Sequence, residues 1–239
     1  FTKSKGAHLY RSGPLGRAEW GTAQLPGLAA GSRLTEWRDS YNRPFALVQI
    51  PSTSHYTVVI GTEPDGAALV DREQIDAWVA EWGMWLATLG NEPGIEAVSV
   101  TIETAPDSGT RLRREVASRI DNDAPAFAKQ LLENLVDQYP AGSATIRAYV
   151  ALTFNAASRV GGRKRTAEDM GRELASRLPG LTQGLTATGA GTSRPLTAQQ
   201  LCEVIRVAYD PAAARLIDEA NAAGEPPELY WPEVGPTAH

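Results

Sequence analysis

The stretch HYTVVIGTEPDGAALVDREQIDAWVAEWGMWLATLGNEPGIEAVSVTIET, residues 55–104, contains the patterns of a strand, a helix and a second strand. His55–Gly61 is apolar and β-branched, which is typical of a strand. Apolar residues then recur every three or four positions, as on one face of a helix. They are Ile75, Trp78, Val79, Trp82, Trp85, Leu86 and Leu89. Ile95–Thr104 alternates apolar and polar residues like a half-buried strand, so the stretch predicts one βαβ unit.

A second unit of the same kind follows later in the chain. Ala144–Phe154 alternates like a strand, Thr166–Leu178 has a helical pattern, and Leu185–Ala190 is the candidate for the last strand. Two such units predict a ferredoxin-like split βαβ fold, with helices on one face of a mostly antiparallel sheet. A doubly wound parallel sheet is the alternative, but the chain has too few strand–helix alternations for it.

The remaining segments extend this α+β core. Arg33–Arg38 and Phe45–Ile50 are predicted strands, and 108–139 is a predicted pair of helices inserted between the two units. Thr197–Tyr209 and a helix from Pro211 to about Ala223 form a predicted C-terminal helical hairpin. Helix starts carry capping patterns, in which a side chain accepts a backbone N–H of the first turn. The pairs are Asp71 with Gln74, Thr166 with Asp169 and Thr197 with Gln200.

The composition along the chain divides it into four regions. We predict an N-terminal arm with short strands at 1–42, an α+β core domain at 43–195, the helical hairpin at 196–224 and a Pro-rich tail at 225–239. The chain starts at Phe1 and ends in a proline-rich segment, and we therefore expect it to be an excerpt of a longer protein.

Composition and charge exclude several classes of protein. The chain has 239 residues, is 42% hydrophobic and carries a net charge of −5, so it can bury a core and is not a generic basic nucleic-acid binder. Its one cysteine, Cys202, excludes an internal disulfide framework and is predicted to be a small buried side chain. No run of about 18 apolar residues occurs, so no segment is predicted to span a membrane.

No catalytic, cofactor or metal residue is predicted. The glycine-rich stretch Gly184–Ser193 lacks the lysine that a phosphate-binding loop needs at the start of a helix. His55 stands near Ser52 and Ser54, but the spacing is not that of a nucleophile and its base, and a strand-edge histidine is the ordinary interpretation. Trp78, Trp82 and Trp85 are predicted core residues, and Trp20, Trp37 and Trp231 are the candidates for partner contact.

One basic loop is the candidate binding site. It contains Arg159, Arg163, Lys164 and Arg165, whose charges would be attracted to the phosphates of lipid head groups or of nucleic acid, or to a partner. A solvated loop without a ligand is the alternative.

Six blocks of sequence carry a family resemblance. They are HLYRSGPLG (8–16), RPFALVQIPSTSHYTVVI (43–60), DGAALVD (65–71), ETAPDSGTRLRREV (103–116), LPGLTQGLTATGAG (178–191) and VIRVAYDPAAARLIDEA (204–220). Together they resemble an actinobacterial family of conjugation-associated membrane proteins. Its members look like a PrgI-like module of two membrane helices followed by a soluble domain, similar to the amino-terminal domain of the type IV secretion ATPase. The blocks contain packing and turn residues and no catalytic motif.

The resemblance implies a non-enzymatic scaffold for DNA transfer by a type IV-like secretion apparatus. It implies attachment to the cell membrane through helices before Phe1, with this domain on the cytoplasmic side. From the residues we predict no cofactor, and we expect any contact with nucleic acid to be indirect. The implied partners are a motor ATPase and other membrane subunits of the apparatus, and self-association is left open. The alternatives are a cytosolic scaffold domain of a type VII secretion membrane subunit and an enzyme of unrecognised type.

Overall fold

In the part of the chain that the structure describes, six strands form one sheet in which all paired strands are antiparallel. The computed structural model describes residues 25–64, 70–106, 125, 127–131, 134, 144–156 and 164–236. The strands are β1 (Arg33–Arg38), β2 (Pro44–Ile50), β3 (His55–Glu63), β4 (Ile95–Pro106), β5 (Ala144–Asn155) and β6 (Thr192–Pro195). The helices are α1 (Arg72–Asn91), α2 (Ala167–Thr186), α3 (Ala198–Tyr209) and α4 (Ala213–Ala223), with 3-10 turns at Gly27–Gly31 and Trp231–Glu233.

The strand order confirms the predicted α+β class and the split βαβ arrangement. The order is β1-β2-β3-β5-β4, and β6 pairs with the end of β3, at Ile60–Glu63, while β2 pairs with its start. β3 and β5, the strands that begin the two units, therefore lie side by side in the centre. The helix α1 connects β3 to β4, and α2 connects β5 to β6. The predicted arm thus adds β1 as an edge strand beside β2.

The main hydrophobic core lies between the sheet and the helices α1 and α2. Alternate strand residues point into it, because successive side chains of a strand face opposite sides of the sheet. They are Phe45, Leu47, Tyr56, Val58, Ile60, Val150, Leu152 and Phe154. The indole Nε1 of Trp85 donates a hydrogen bond of 3.1 Å to the Leu181 carbonyl oxygen, so α1 and α2 are joined without an unpaired polar atom at that point.

The apolar stripe of α1 is narrower than the sequence predicts. Trp85 and Leu89 are buried, but Val79 and Leu86 are 64% and 42% exposed. Trp85 lies against Gly184 of α2, where an added Cβ would come within 2.8 Å of its ring. Seven apolar positions span more of a helix than one contact face buries, and Val79 and Leu86 are left on the outer side of the stripe.

The prediction that α2 ends at Leu178, and that Leu185–Ala190 is a strand, is wrong. The helix continues through Pro179 to Thr186, and the last strand is β6. Proline lacks the N–H that would bond the carbonyl four residues earlier, that of Ala175. The backbone N–H of Ser40 bonds this carbonyl instead, at 3.0 Å. The helix therefore passes the proline without leaving that acceptor unpaired.

Two of the three predicted caps are confirmed. Thr166 with Asp169, and Thr197 with Gln200, form reciprocal capping boxes at the starts of α2 and α3. Asp71 does occupy the N-cap of α1, but its side chain makes no capping hydrogen bond. The prediction of a side-chain cap at Asp71 is therefore wrong. The N–H of Gln74 bonds the backbone carbonyl of Asp71 instead, at 3.0 Å.

A second, smaller core holds α3 against both ends of the described chain. Leu25, Cys202 and Val234 are buried in it, and Trp231 packs at its edge with its Nε1 donating to the Ser32 hydroxyl at 2.8 Å. Trp37 packs against the main core, over Gly171. Trp37 and Trp231 are therefore half-buried against the chain itself, and their contact with a partner stays a prediction.

Two predictions fall partly outside the described residues. Trp20 is outside them, and within the predicted helical pair 108–139 the structure describes only 125, 127–131 and 134, of which 127–131 and 134 are helical. Across the described ranges, no helix has the length and apolar character needed to cross a bilayer.

Candidate functional site

Of the four residues of the predicted basic loop, the structure describes Lys164 and Arg165, and Arg165 is hydrogen-bonded to the rest of the fold. Arg159 and Arg163 lie outside the described residues, and Lys164 is exposed. The Arg165 guanidinium donates to a carboxylate oxygen of Glu173, at 2.5 Å, and to the backbone carbonyl of Asn155, at 2.7 Å. Arg165 therefore joins α2 to the end of β5, and Lys164 is the described loop cation that faces solvent.

The sheet end near Arg165 also holds the one histidine that the structure describes. His55 Nε2 lies 2.7 Å from a carboxylate oxygen of Glu96, which also accepts from the Asn155 side-chain amide at 2.7 Å. These bonds from His55 and Asn155 hold the pKa of Glu96 below its ordinary value, because they favour the ionised carboxylate. Within the described residues, His55 thus pairs with an acid on β4 and not with Ser52 or Ser54.

Two further titratable groups are held in their neutral forms. Burial, and then the hydrogen bond of 2.9 Å from its hydroxyl to Glu103, raise the pKa of Tyr149 to about 12. Burial, and then the charge of Glu203, raise the pKa of the Cys202 thiol to about 11. In the described part of the chain, no three His, Cys, Asp or Glu side chains come close enough to hold a metal ion.

The glycine-rich stretch 184–193 covers the end of α2, the turn at 187–191 and the start of β6. Gly189 and Gly191 have positive φ angles of 76° and 69°. A Cβ at Gly191 would lie 1.9 Å from the carbonyl oxygen of Glu63, so the close approach of β6 to β3 requires glycine there. This packing role accounts for these two glycines without a phosphate ligand.

The first exposed apolar surface is the outer side of α1. Ile75, Val79, Trp82 and Leu86 follow one another at spacings of four, three and four, so they share one side of the helix. We call these four residues the α1 flank. Ile75 and Trp82 are half-buried, and Trp82 stacks on buried Trp85 with ring centroids 5.2 Å apart. The exposed side chains of Val79 and Leu86 therefore lie beside the Trp82 ring, which packs against the core and is held by its stack on Trp85.

The second exposed apolar surface is the strand β4. Every residue from Ser99 to Ile102 is exposed, and Val100 and Ile102 are 47% and 68% exposed. Ile146, on the neighbouring strand β5, is 52% exposed and pairs with Thr104. β4 pairs with β5 along one side, and within the described part of the chain no strand pairs with its other side.

Sequence reasoning missed both surfaces because it assigned their apolar residues to the core. In α1, the sequence did contain a sign of an exposed apolar surface, because its seven apolar positions are more than one buried helix face needs. In β4, the alternation identified the strand, but it does not say whether the strand lies at the centre or the edge of a sheet.

The chain has no match among protein-family models, curated proteins or solved structures.

Proposed function

We propose that this chain is a non-enzymatic scaffold domain of a membrane-bound conjugation or type IV-like secretion component, and that it docks a motor ATPase through the α1 flank. The exposure of Val79 and Leu86 on a helix fixed to the core is the observation that carries the proposal. The sequence resemblance supplies the kind of apparatus and the kind of partner.

The α1 flank has the chemistry of a helix-packing surface. Apolar side chains at four-three-four spacing fit an apolar helix or groove of a partner. Burying apolar surface stabilises a complex by about 25 cal/mol for each Å² removed from water. Trp82 is already held by its stack on Trp85, so little side-chain freedom is lost when a partner binds.

The charge of α1 indicates the character of the partner surface. Glu73, Asp76 and Glu81 are acidic and Arg72 is the basic residue of this helix. A partner segment that combines an apolar stripe with basic residues at its margin would complement this helix. We therefore expect binding to weaken as salt is added, because charges at the margin of an interface are screened.

Co-purification of the full-length protein from membranes, with mass spectrometry of its partners, tests the proposal. The variant Val79→Gln with Leu86→Gln removes the two exposed apolar side chains of the α1 flank while keeping residues that favour helix. Met84→Gln is the matched control, because Met84 is 57% exposed on the opposite side of α1.

We expect a motor ATPase to co-purify with the wild type and with Met84→Gln, and to be lost from the double variant. Recovery of the protein alone, with cross-linking and in several detergents, would contradict the scaffold role. Recovery of a four-membered type VII core in place of a motor ATPase would contradict the assigned apparatus.

A further inference from the structure

Among the residues that the structure describes, β4 presents a long edge with which no other strand pairs. It has 12 residues and pairs on one side with β5. A sheet edge carries a row of backbone N–H and C=O groups that is ready to pair with another strand. Proteins protect such edges with charges, prolines, bulges or short strands.

The two edges of this sheet differ in their protection. β1, at the opposite edge, carries Arg33, Glu36 and Arg38 within six residues. In β4, a register irregularity at Ile95/Ala97 and Pro106 lie at the ends. Between these ends, residues 97–102 contain no charge and no proline.

The sequence of β4 is self-complementary around Val100. In an antiparallel pair of two β4 strands centred there, Val100 lies opposite Val100, Val98 opposite Ile102, and Ser99 opposite Thr101. Apolar side chains then meet on one face and hydroxyl side chains on the other. The acidic residue Glu103 lies opposite Ala97, so no like charges face each other across this pair.

We infer that two copies of this chain associate through antiparallel pairing of β4 about a two-fold axis at Val100. A two-fold interface needs a surface that complements itself, which this register provides. The exposed apolar residues Val100, Ile102 and Ile146 of the two copies then lie along one continuous sheet face. One strand pair is a small interface, so we expect a weak dimer that depends on concentration. The inference does not rest on the proposed ATPase docking, which uses the α1 flank.

Cysteine cross-linking tests the register directly. The chain has one cysteine, Cys202, which is 2% exposed, so an introduced surface cysteine is the reactive one. Val100→Cys places two thiols at adjacent positions across the two-fold axis, within the distance that a disulfide spans. Ile102→Cys is the matched control on the same face, because its two copies would lie about 14 Å apart along the strands.

We expect Val100→Cys to form a disulfide-linked dimer on oxidation and Ile102→Cys to stay monomeric. Equal cross-linking of both variants, cross-linking of Ile102→Cys alone, or no cross-linking of either would overturn the pairing.

A charge-complementation experiment tests the same axis without cysteine. Val100→Lys and Val100→Glu each place two like charges opposite each other, and we expect each variant alone to sediment as a monomer with unchanged circular dichroism. An equimolar mixture pairs Lys with Glu, and we expect it to form a heterodimer. A mixture that stays monomeric while the wild type dimerises, or a wild type that is monomeric at all concentrations, would overturn the inference.

Discussion

Arg177 donates two hydrogen bonds, of 2.5 and 3.1 Å, to one carboxylate oxygen of Glu92, and so joins the middle of α2 to the end of α1. Glu92 is the C-cap of α1, where the helix dipole disfavours a negative charge, and the guanidinium offsets this effect. Arg177 also donates to Glu173 and to the Pro93 carbonyl oxygen, and it lies 5.0 Å from the centroid of the Phe154 ring. One side chain therefore fixes both helices of the main core against the sheet.

Arg177→Ala should lower the free energy of unfolding by about 1–3 kcal/mol, because the largely buried carboxylates of Glu92 and Glu173 lose a charged partner. Urea denaturation followed by circular dichroism measures this change. Arg172→Ala is the control on the same helix, since its pair with Glu168 is 71% and 62% exposed, and we expect a loss below about 0.5 kcal/mol. Equal losses for the two variants would contradict the role of Arg177.

Gly191→Ala should destabilise the protein by at least about 2 kcal/mol, because a positive φ and a blocked Cβ position combine there. Gly90→Ala, in α1, should instead stabilise it by up to about 1 kcal/mol, since the helix gains propensity and nothing lies within 4 Å of the new Cβ. Thermal unfolding of both variants measures the difference. A tolerated Gly191→Ala would show that β6 does not approach β3 so closely.

The pair His55–Glu96 should make stability sensitive to acid. The pKa of Glu96 is lowered in the folded protein, so the stability that the pair contributes is present above the ordinary value of 4.5 and is lost as pH falls through the lower, folded pKa. NMR titration of the Glu96 carboxyl group should give a pKa below 4.5 that rises in His55→Ala. An unchanged pKa in that variant would show that His55 does not hold the carboxylate.

Cys202 should react slowly with thiol reagents at pH 8. Burial leaves it 2% exposed, and its pKa of about 11 leaves little thiolate at that pH. The labelling rate with a chromogenic disulfide should therefore increase several-fold in Gly191→Ala, because the destabilised chain opens more often. Complete labelling of the wild type within the mixing time would contradict the buried position in the smaller core.

Local signals in the sequence predicted local structure well. Thr166 with Asp169 formed the expected cap because all its partners lie within four residues. The strand patterns also predicted β1 at its exact bounds. They predicted β2, β3, β4 and β5 to within a few residues at each end. The two recognised βαβ units also predicted the mostly antiparallel sheet, although not the order of all its strands.

Contacts between distant segments decided what the sequence did not predict. Pro179 stays inside α2 because Ser40, far away in sequence, bonds the carbonyl that the proline leaves free. Trp231 meets Ser32 across almost the whole chain, which no local pattern indicates. The exposure of Val79 likewise depends on which side of α1 faces α2. The exposure of Val100 depends on the position of β4 at the edge of the sheet. The tertiary structure therefore decided which apolar residues of α1 and β4 are exposed.

The affinity of the purified domain for the co-purified motor ATPase is the most direct test of the docking function. We expect the dissociation constant, measured by interferometry, to rise at least about 10-fold for Val79→Gln with Leu86→Gln, which corresponds to about 1.4 kcal/mol, and to stay within about 2-fold for Met84→Gln. An affinity that is the same for the wild type and the double variant, or the absence of any binding by the wild type, would contradict docking through the α1 flank.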